Sequence, residues 1–167
     1  MAPLTISIVE QVPLTLCDSP RPTYNRCMKI RPAQPEDSEA IVVLLDQLGY
    51  PGTGKFLCER IKTLAAYPGE VLVVGEESGC VIAVMSMSIL PQLATPGPFA
   101  QINYLCVLQE FRSSGLGRQL EEYAVTAAEA RGCGWIVLHS HSRRTDAHRF
   151  YIRQGYEESP KYFVKKL

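Results

Sequence analysis

The chain carries no surplus of charge: Lys+Arg and Asp+Glu number 17 each, so the formal net charge at neutral pH is zero. A general nucleic-acid binder needs a basic excess to displace counterions from phosphates, and this composition argues against that class. Long apolar runs are also missing. None approaches the ~20 residues of a membrane span, and the N-terminus has no charged start ahead of an apolar core. The expectation is a cytoplasmic protein with no membrane partner. The six cysteines, Cys17, Cys27, Cys58, Cys80, Cys106 and Cys133, include no Cys-x-x-Cys pair. They fit no zinc pattern, so no metal is expected. Without a secretory signal no disulfide framework is expected either, and most of these cysteines read as small core side chains.

What remains is ordinary globular composition, 46% hydrophobic and 20% charged over 167 residues, enough for one domain with a proper core. Residues 1–27 stand apart. Pro3, Pro13, Pro20 and Pro22 interrupt them, no helical period runs through them, and "SPRPTYN" is linker-like. Only "TISIVEQV" has strand character there. The legible pattern opens at Met28, which predicts an N-terminal extension, 1–27, ahead of a domain, 28–167.

"MKIRP" is a short strand. Pro35 at a first helical position, with Glu36 and Asp37 behind it, starts a helix whose acids suit the dipole. Ile41, Leu44, Leu45 and Leu48 share one face before Gly49 and Pro51 end it. A second helix from Gly54 carries Leu57, Ile61, Leu64 and Ala65 at helical spacing. A hairpin follows: strand 71–76, a turn at Ser78 and Gly79, strand 81–90. Beyond the loop "PQLATPGP" come a strand "FAQINYLCVL" and a helix with Leu116, Leu120, Tyr123, Ala124 and Ala127 on one face. Then come a strand "WIVLHS", a short helix "TDAHRFYIRQG" and a tail, "YEESPKYFVKKL", that reads as one or two strands. The order β-α-α-β-β-β-α-β-α-β-β predicts an α/β (α+β) domain. Its central sheet is mixed and mostly antiparallel, with about seven strands and about four flanking helices, and one β-α-β unit is parallel.

That unit contains "FRSSGLGRQLEEYA", Phe111 to Ala124, which turns from small and basic residues into a helix. The first N–H groups of a helix have no partner within it and sit at the positive end of the dipole, where a pyrophosphate binds well. Gly115 and Gly117 allow close approach, Ser113 and Ser114 add hydroxyls, and Arg112 and Arg118 add flanking charge. A P-loop needs Lys and then Ser or Thr after its second glycine, where Arg118 and Gln119 stand; a dinucleotide fingerprint needs a glycine where Leu120 stands. What survives, Arg-x-x-Gly-x-Gly over Arg112–Gly117, fits a phosphate cradle or a plain turn.

The arrangement from Met28 to Leu167 resembles the GNAT superfamily of N-acetyltransferases. In that family Gln/Arg-x-x-Gly-x-Gly/Ala opens the helix after the fourth strand. "AHRFYIRQGY" matches the family's A-x-x-F-Y-x-x-x-G-F/Y block at Ala147, Phe150, Tyr151, Gly155 and Tyr156, and "MKIRPAQPEDSEAI" is similar to its opening strand and helix. "RRTDAHRFYIRQGYEESPKYFVKKL" is similar to the ends of aminoalkylphosphonate N-acetyltransferases and their small-amine relatives. The resemblance implies a sheet splayed at strands 4 and 5 and acetyl-CoA as co-substrate. It implies that Arg112, Ser113, Ser114, Gly115, Leu116, Gly117 and Arg118 hold the pyrophosphate and that the backbone of Leu105, Cys106 and Val107 pairs with the pantetheine. Arg144 stands where many relatives hold the cofactor with an Asn.

Such an enzyme takes a proton from an amine, stabilises an oxyanion and protonates a departing thiolate. The resemblance makes Tyr151 the acid. Many relatives place a Glu on the fourth strand as base; Asn103 and Tyr104 stand in that neighbourhood, leaving His139, His141 or a water chain. The acceptor is expected between the loops 49–55 and 91–98 and the tail, where Lys55, Arg143, Arg144 and Lys161 could meet an anionic group. The expected activity is direct acetyl transfer to a small primary amine by a homodimer. Acetylation of a protein or peptide, or a non-catalytic acyl-CoA-binding module, are the alternatives.

Overall fold

The computed structural model describes residues 27–159 together with Phe163 and Lys165. The extension with its "TISIVEQV" segment, and the rest of the tail, lie outside the described residues. Nine elements follow in the expected order: β1 Lys29–Pro32, α1 Ser38–Gln47, α2 Leu57–Ala65, β2 Glu70–Glu77, β3 Cys80–Leu90, β4 Phe99–Val107, α3 Leu116–Glu129, β5 Ile136–Leu138 and α4 Thr145–Arg153. The strands form one sheet in the order β1-β2-β3-β4-β5. The first four pair antiparallel, and β5 joins β4 in parallel.

The expected count of about seven strands is corrected to five among the described residues. The start of the tail is occupied otherwise. Gly155 takes φ 88 at the end of α4, and the Tyr156 N–H turns back to the Tyr151 carbonyl at 3.1 Å. The Tyr156 ring then packs edge-on against Tyr151, with centroids 5.4 Å apart, so the chain caps a helix here instead of entering the sheet.

Local rules explain most of the rest. Ser78 and Gly79 have φ 51 and 80, the pair of positive values that a two-residue type I′ turn requires between β2 and β3. Pro35–Asp37 is a 3₁₀ turn, so α1 begins one turn later than its proline suggests. Strand alternation splits the core in two. Val74, Val84 and Cys106 meet Ile41, Leu44 and Ile61 of α1 and α2 on one face. Val73, Met85, Met87 and Ile102 meet Leu116, Leu120 and Ala124 of α3 on the other. A Cβ on Gly75 would stand 2.3 Å from Met28 Sδ, so only glycine leaves the notch that Met28 fills. The cysteines are less buried than expected: Cys106 is buried, Cys80 and Cys133 are half-buried, and Cys27 and Cys58 are exposed.

One ion-pair cluster ties β1 to the turn before α1. Arg31 donates through Nη1 and Nη2 to Asp37, at 2.7 and 2.9 Å, and through Nε to Glu76 at 2.8 Å. Asp37 also accepts the Gln34 N–H at 2.7 Å and is 9% exposed. The Arg31 hydrogen bond holds its carboxyl below the usual carboxylate range. Asp37→Asn is expected to cost about 2 kcal/mol by leaving Arg31 short of its charged partner. Because the folded pKa is depressed, that contribution is complete above about pH 4, the range where an unfolded Asp is ionised. It fades as pH falls through the folded value. Urea unfolding of both forms across pH 2–7 should therefore converge at the acid end.

The feature that shapes the site lies in β4. Its pairing with β5 covers only Ala100–Ile102 against Ile136–Leu138. Beyond Ile102 that edge of β4 has no strand partner among the described residues. At the same point β4 bulges: Met87 pairs with Ile102 and Ser86 with Tyr104, so Asn103 is the extra residue.

Candidate active site

The open edge of β4 runs directly into the loop before α3. Gln109–Phe111 form a 3₁₀ turn, and Arg112 is extended. Ser113 then takes φ 62 and Gly115, the N-cap of α3, φ 87. The N–H groups of residues 113–117 donate to no backbone carbonyl among the described residues. They lie at the positive end of a 14-residue helix, a place that suits a multiply charged anion.

Three of the side chains expected to assist hold contacts within the protein. Arg112 Nε donates to the Val107 carbonyl at 3.0 Å. Ser114 Oγ donates to the Phe111 carbonyl, and Arg118 pairs with Glu122 one turn along the helix at 2.8 Å. The N–H groups of residues 113–117 form the backbone part of this candidate cradle. A Cβ on Gly117 would meet the Phe150 ring of α4 at an ordinary contact distance of 3.6 Å. Leu116 is core, 1% exposed. On the strand, the Cys106 thiol is buried and donates to the Leu44 carbonyl at 3.3 Å. Burial pushes its pKa up, which leaves an unreactive thiol. Leu105 and Val107 flank it along the free edge.

Tyr151 is mostly enclosed by Phe150, 5.0 Å away edge-on, and Tyr156. Burial pushes its phenol up to about 12, against the opposing pull of the Arg144 cation. Arg144 itself donates through Nη2 to the Leu48 carbonyl, capping the end of α1. Behind the tyrosines sits a carboxyl that the sequence pattern hid: Glu121, 5% exposed on the buried side of α3. Burial raises its pKa, and its charge in turn helps push the Tyr156 phenol up. A Gly117–Glu121–Ala124–Ala128 row was the available signal, since a carboxyl among small helix residues faces a neighbouring element.

Next to the splay lies a shallow cavity of about 190 Å³ lined by Tyr50, Gln101, Ile102, Asn103, Tyr104 and His139. The Tyr50 and Tyr104 rings meet edge to face, with centroids 5.3 Å apart. His139 belongs to this cavity. His141 does not; it is exposed, and its Nδ1 accepts the Arg143 N–H at 3.2 Å. The loop after α1 contributes Tyr50 to the lining. The loop 91–98 contributes nothing to the lining: it lies against the turn after α3, where a Cβ on Gly97 would be 2.7 Å from the Gly132 carbonyl. Lys55 and Arg143 are exposed, and Lys161 lies outside the described residues.

A model of the acetyltransferase (GNAT) family matches residues 38–156, which takes in the splayed strands, the cradle and Tyr151. The chain belongs to that family. Among curated proteins it is 33% identical over 90 residues to the aminoalkylphosphonate N-acetyltransferase of Salmonella typhimurium. That match covers 54% of this chain and 58% of the relative, so the chain spans a little over half of that relative's length. An uncharacterised N-acetyltransferase of Chlorobaculum tepidum is 30% identical over 151 residues, covering 87% of this chain and 85% of the other. Among solved structures, a transcriptional regulator from Bacillus halodurans C-125 superposes with a TM-score of 0.77 at 25% identity, over 84% of this chain and 100% of its own.

The side chains of Arg112 and Arg144 brace the two loops that border this candidate site.

Proposed function

We propose that this acetyltransferase transfers the acetyl group of acetyl-CoA directly to a small primary amine within a ternary complex. The observation that carries the reading is the continuity of the free β4 edge with the unpaired N–H groups of residues 113–117. A pantetheine arm adds to Leu105–Val107 like a strand, and its pyrophosphate meets the cradle. The cavity beside the splay has room for a small acceptor rather than a folded peptide segment. The similarity to an aminoalkylphosphonate N-acetyltransferase points the same way.

An alkylamine with an ordinary pKa must give up a proton before it attacks, which costs about 4–5 kcal/mol at neutral pH. His139, on the cavity wall, takes that role in preference to His141, which stands outside the cavity. Attack on the thioester forms a C–N bond, and the electron pair moves to oxygen, where a β4 N–H at the splay stabilises it. Its return breaks the C–S bond. Tyr151 remains protonated throughout the neutral range and donates to the sulfur as negative charge develops there. The amide and free CoA leave, with the amine's surplus proton balancing the thiolate.

The enzyme is further taken as a cytoplasmic homodimer. The Phe99–Trp135 stack, with Trp135 43% exposed, is apolar surface that such an assembly would cover. The deciding measurement is thiol release from acetyl-CoA with aminomethylphosphonate, spermidine, glycine and an alanine-ended peptide as acceptors. Turnover with the small amines and none with the peptide is expected. The reverse order would assign the enzyme to proteins. Acetyl-CoA binding with no turnover on any acceptor would make it a sensor.

A further inference from the structure

Glu70, Ser88 and Gln101 are register partners across β2, β3 and β4, so they share one face of the sheet. The bulged Asn103 joins the row. Gln101 Nε2 donates to Asn103 Oδ1 at 3.0 Å, Asn103 Nδ2 to Ser88 Oγ at 2.7 Å, and Ser88 Oγ to Glu70 Oε1 at 2.5 Å. Every donor in the chain points the same way. Glu70 Oε2 is buried and accepts no hydrogen bond among the described residues, so within them the carboxylate speaks through Ser88.

The cause of this order lies at the Glu70 end. A carboxylate has no proton to give, so the Ser88 hydroxyl spends its single proton there. Toward Asn103 it can then only accept, which turns the Asn103 amide nitrogen to Ser88 and its oxygen to Gln101. Gln101 must in turn donate inward. No donor among the described residues reaches Gln101 Oε1. Gln101 and Asn103 both line the cavity, so the charge of Glu70 decides what the cavity wall offers: a carbonyl oxygen, polarised by a negative charge behind it.

We infer that Glu70, acting through Ser88, Asn103 and Gln101, selects an acceptor that enters as a cationic, donor-rich ammonium group. The inference rests on the small-amine reading above and deepens it. Glu70 is a positioning residue, since it lines no part of the cavity itself. In Glu70→Gln the terminal amide can accept from Ser88 or donate to it, so both chain directions become available and the wall loses its fixed polarity. Ser88→Ala keeps the charge and cuts the chain, which separates orientation from attraction at a distance.

The test is binding, without turnover. Affinities of n-butylammonium and of the matched neutral n-butanol are measured by ligand-observed NMR on the CoA-loaded full chain. Wild type is expected to prefer the ammonium by about ten-fold, the size of one charge-assisted hydrogen bond. Glu70→Gln and Ser88→Ala should each lose most of that preference while binding n-butanol and acetyl-CoA as wild type does. Equal binding of both probes by wild type overturns the inference. So does a preference retained in either variant. Failure of thiol release with every amine would instead defeat the proposed function and leave this result standing.

Discussion

Tyr151→Phe is expected to lower kcat for acetyl transfer by about 10²- to 10³-fold, the usual size of a positioned acid's contribution. KM for acetyl-CoA should barely move. The substitution removes one oxygen and keeps the ring, so the edge contacts with Phe150 and Tyr156 persist and the fold should be unaffected. The magnitude follows from how the phenol works. With its pKa pushed up to about 12, full proton transfer to an ordinary thiolate near 8.5 runs uphill by about 3.5 pK units, or about 5 kcal/mol. A free thiolate therefore does not strip Tyr151. In the proposed mechanism the hydroxyl instead stabilises the charge that develops on sulfur, and the proton released by the amine completes the balance. Two further outcomes follow. The wild-type rate should show no loss of an acid up to pH 10, because Tyr151 stays protonated. Acetyl donors built on CoA-like thiols of lower pKa should narrow the gap between wild type and Tyr151→Phe, because their thiolates leave with less help. Single-turnover thiol release measures both, and wild-type turnover in the variant would remove Tyr151 from the chemistry.

The loop and helix start within residues 111–124 were legible in the sequence because their parts are contiguous and bring their own backbone together. The β2–β3 hairpin was legible for the same reason, since Ser78 and Gly79 alone select the turn. Pairing across strands is a different matter. "WIVLHS" has strong strand propensity, yet only Ile136–Leu138 pair, because β4 diverges at Ile102 and leaves the following residues no partner. No local pattern in either segment records that divergence. The same holds for the Glu70 chain, whose members stand 18, 15 and 2 residues apart and meet only through the register of three strands and the bulge at Asn103. Where a Glu was sought on β4 stand Asn103 and Tyr104, and the carboxylate that orders this hydrogen-bonded row lies two strands away on β2. The contacts of two arginines were equally hidden: Arg112 and Arg144 reach the Val107 and Leu48 carbonyls, at the ends of β4 and α1, which no local pattern predicts.

Gly115→Val should weaken acetyl-CoA binding by about 100-fold, equivalent to losing one or two charge-assisted hydrogen bonds. The space around Gly115 is open, so the effect is not steric crowding by neighbours. It lies in the backbone. At φ 87 a β-branched residue is strained by about 1–3 kcal/mol, and the peptide relieves the strain by rotating toward negative φ. That rotation swings the N–H groups of Gly115 and Leu116 out of the proposed cradle. Part of the cost appears as lower thermal stability, because Gly115 also accepts from the Arg118 and Gln119 N–H groups through its carbonyl. Gly117→Ala provides the contrast. Its added Cβ would reach the Phe150 ring at an ordinary 3.6 Å, and alanine favours the helix by about 1 kcal/mol over glycine. This variant should hold or gain stability and bind acetyl-CoA nearly as wild type does. Calorimetric titration of both variants with acetyl-CoA separates the two glycines. A Gly115→Val protein that binds acetyl-CoA normally would mean that the N–H groups of residues 113–117 hold no part of the donor.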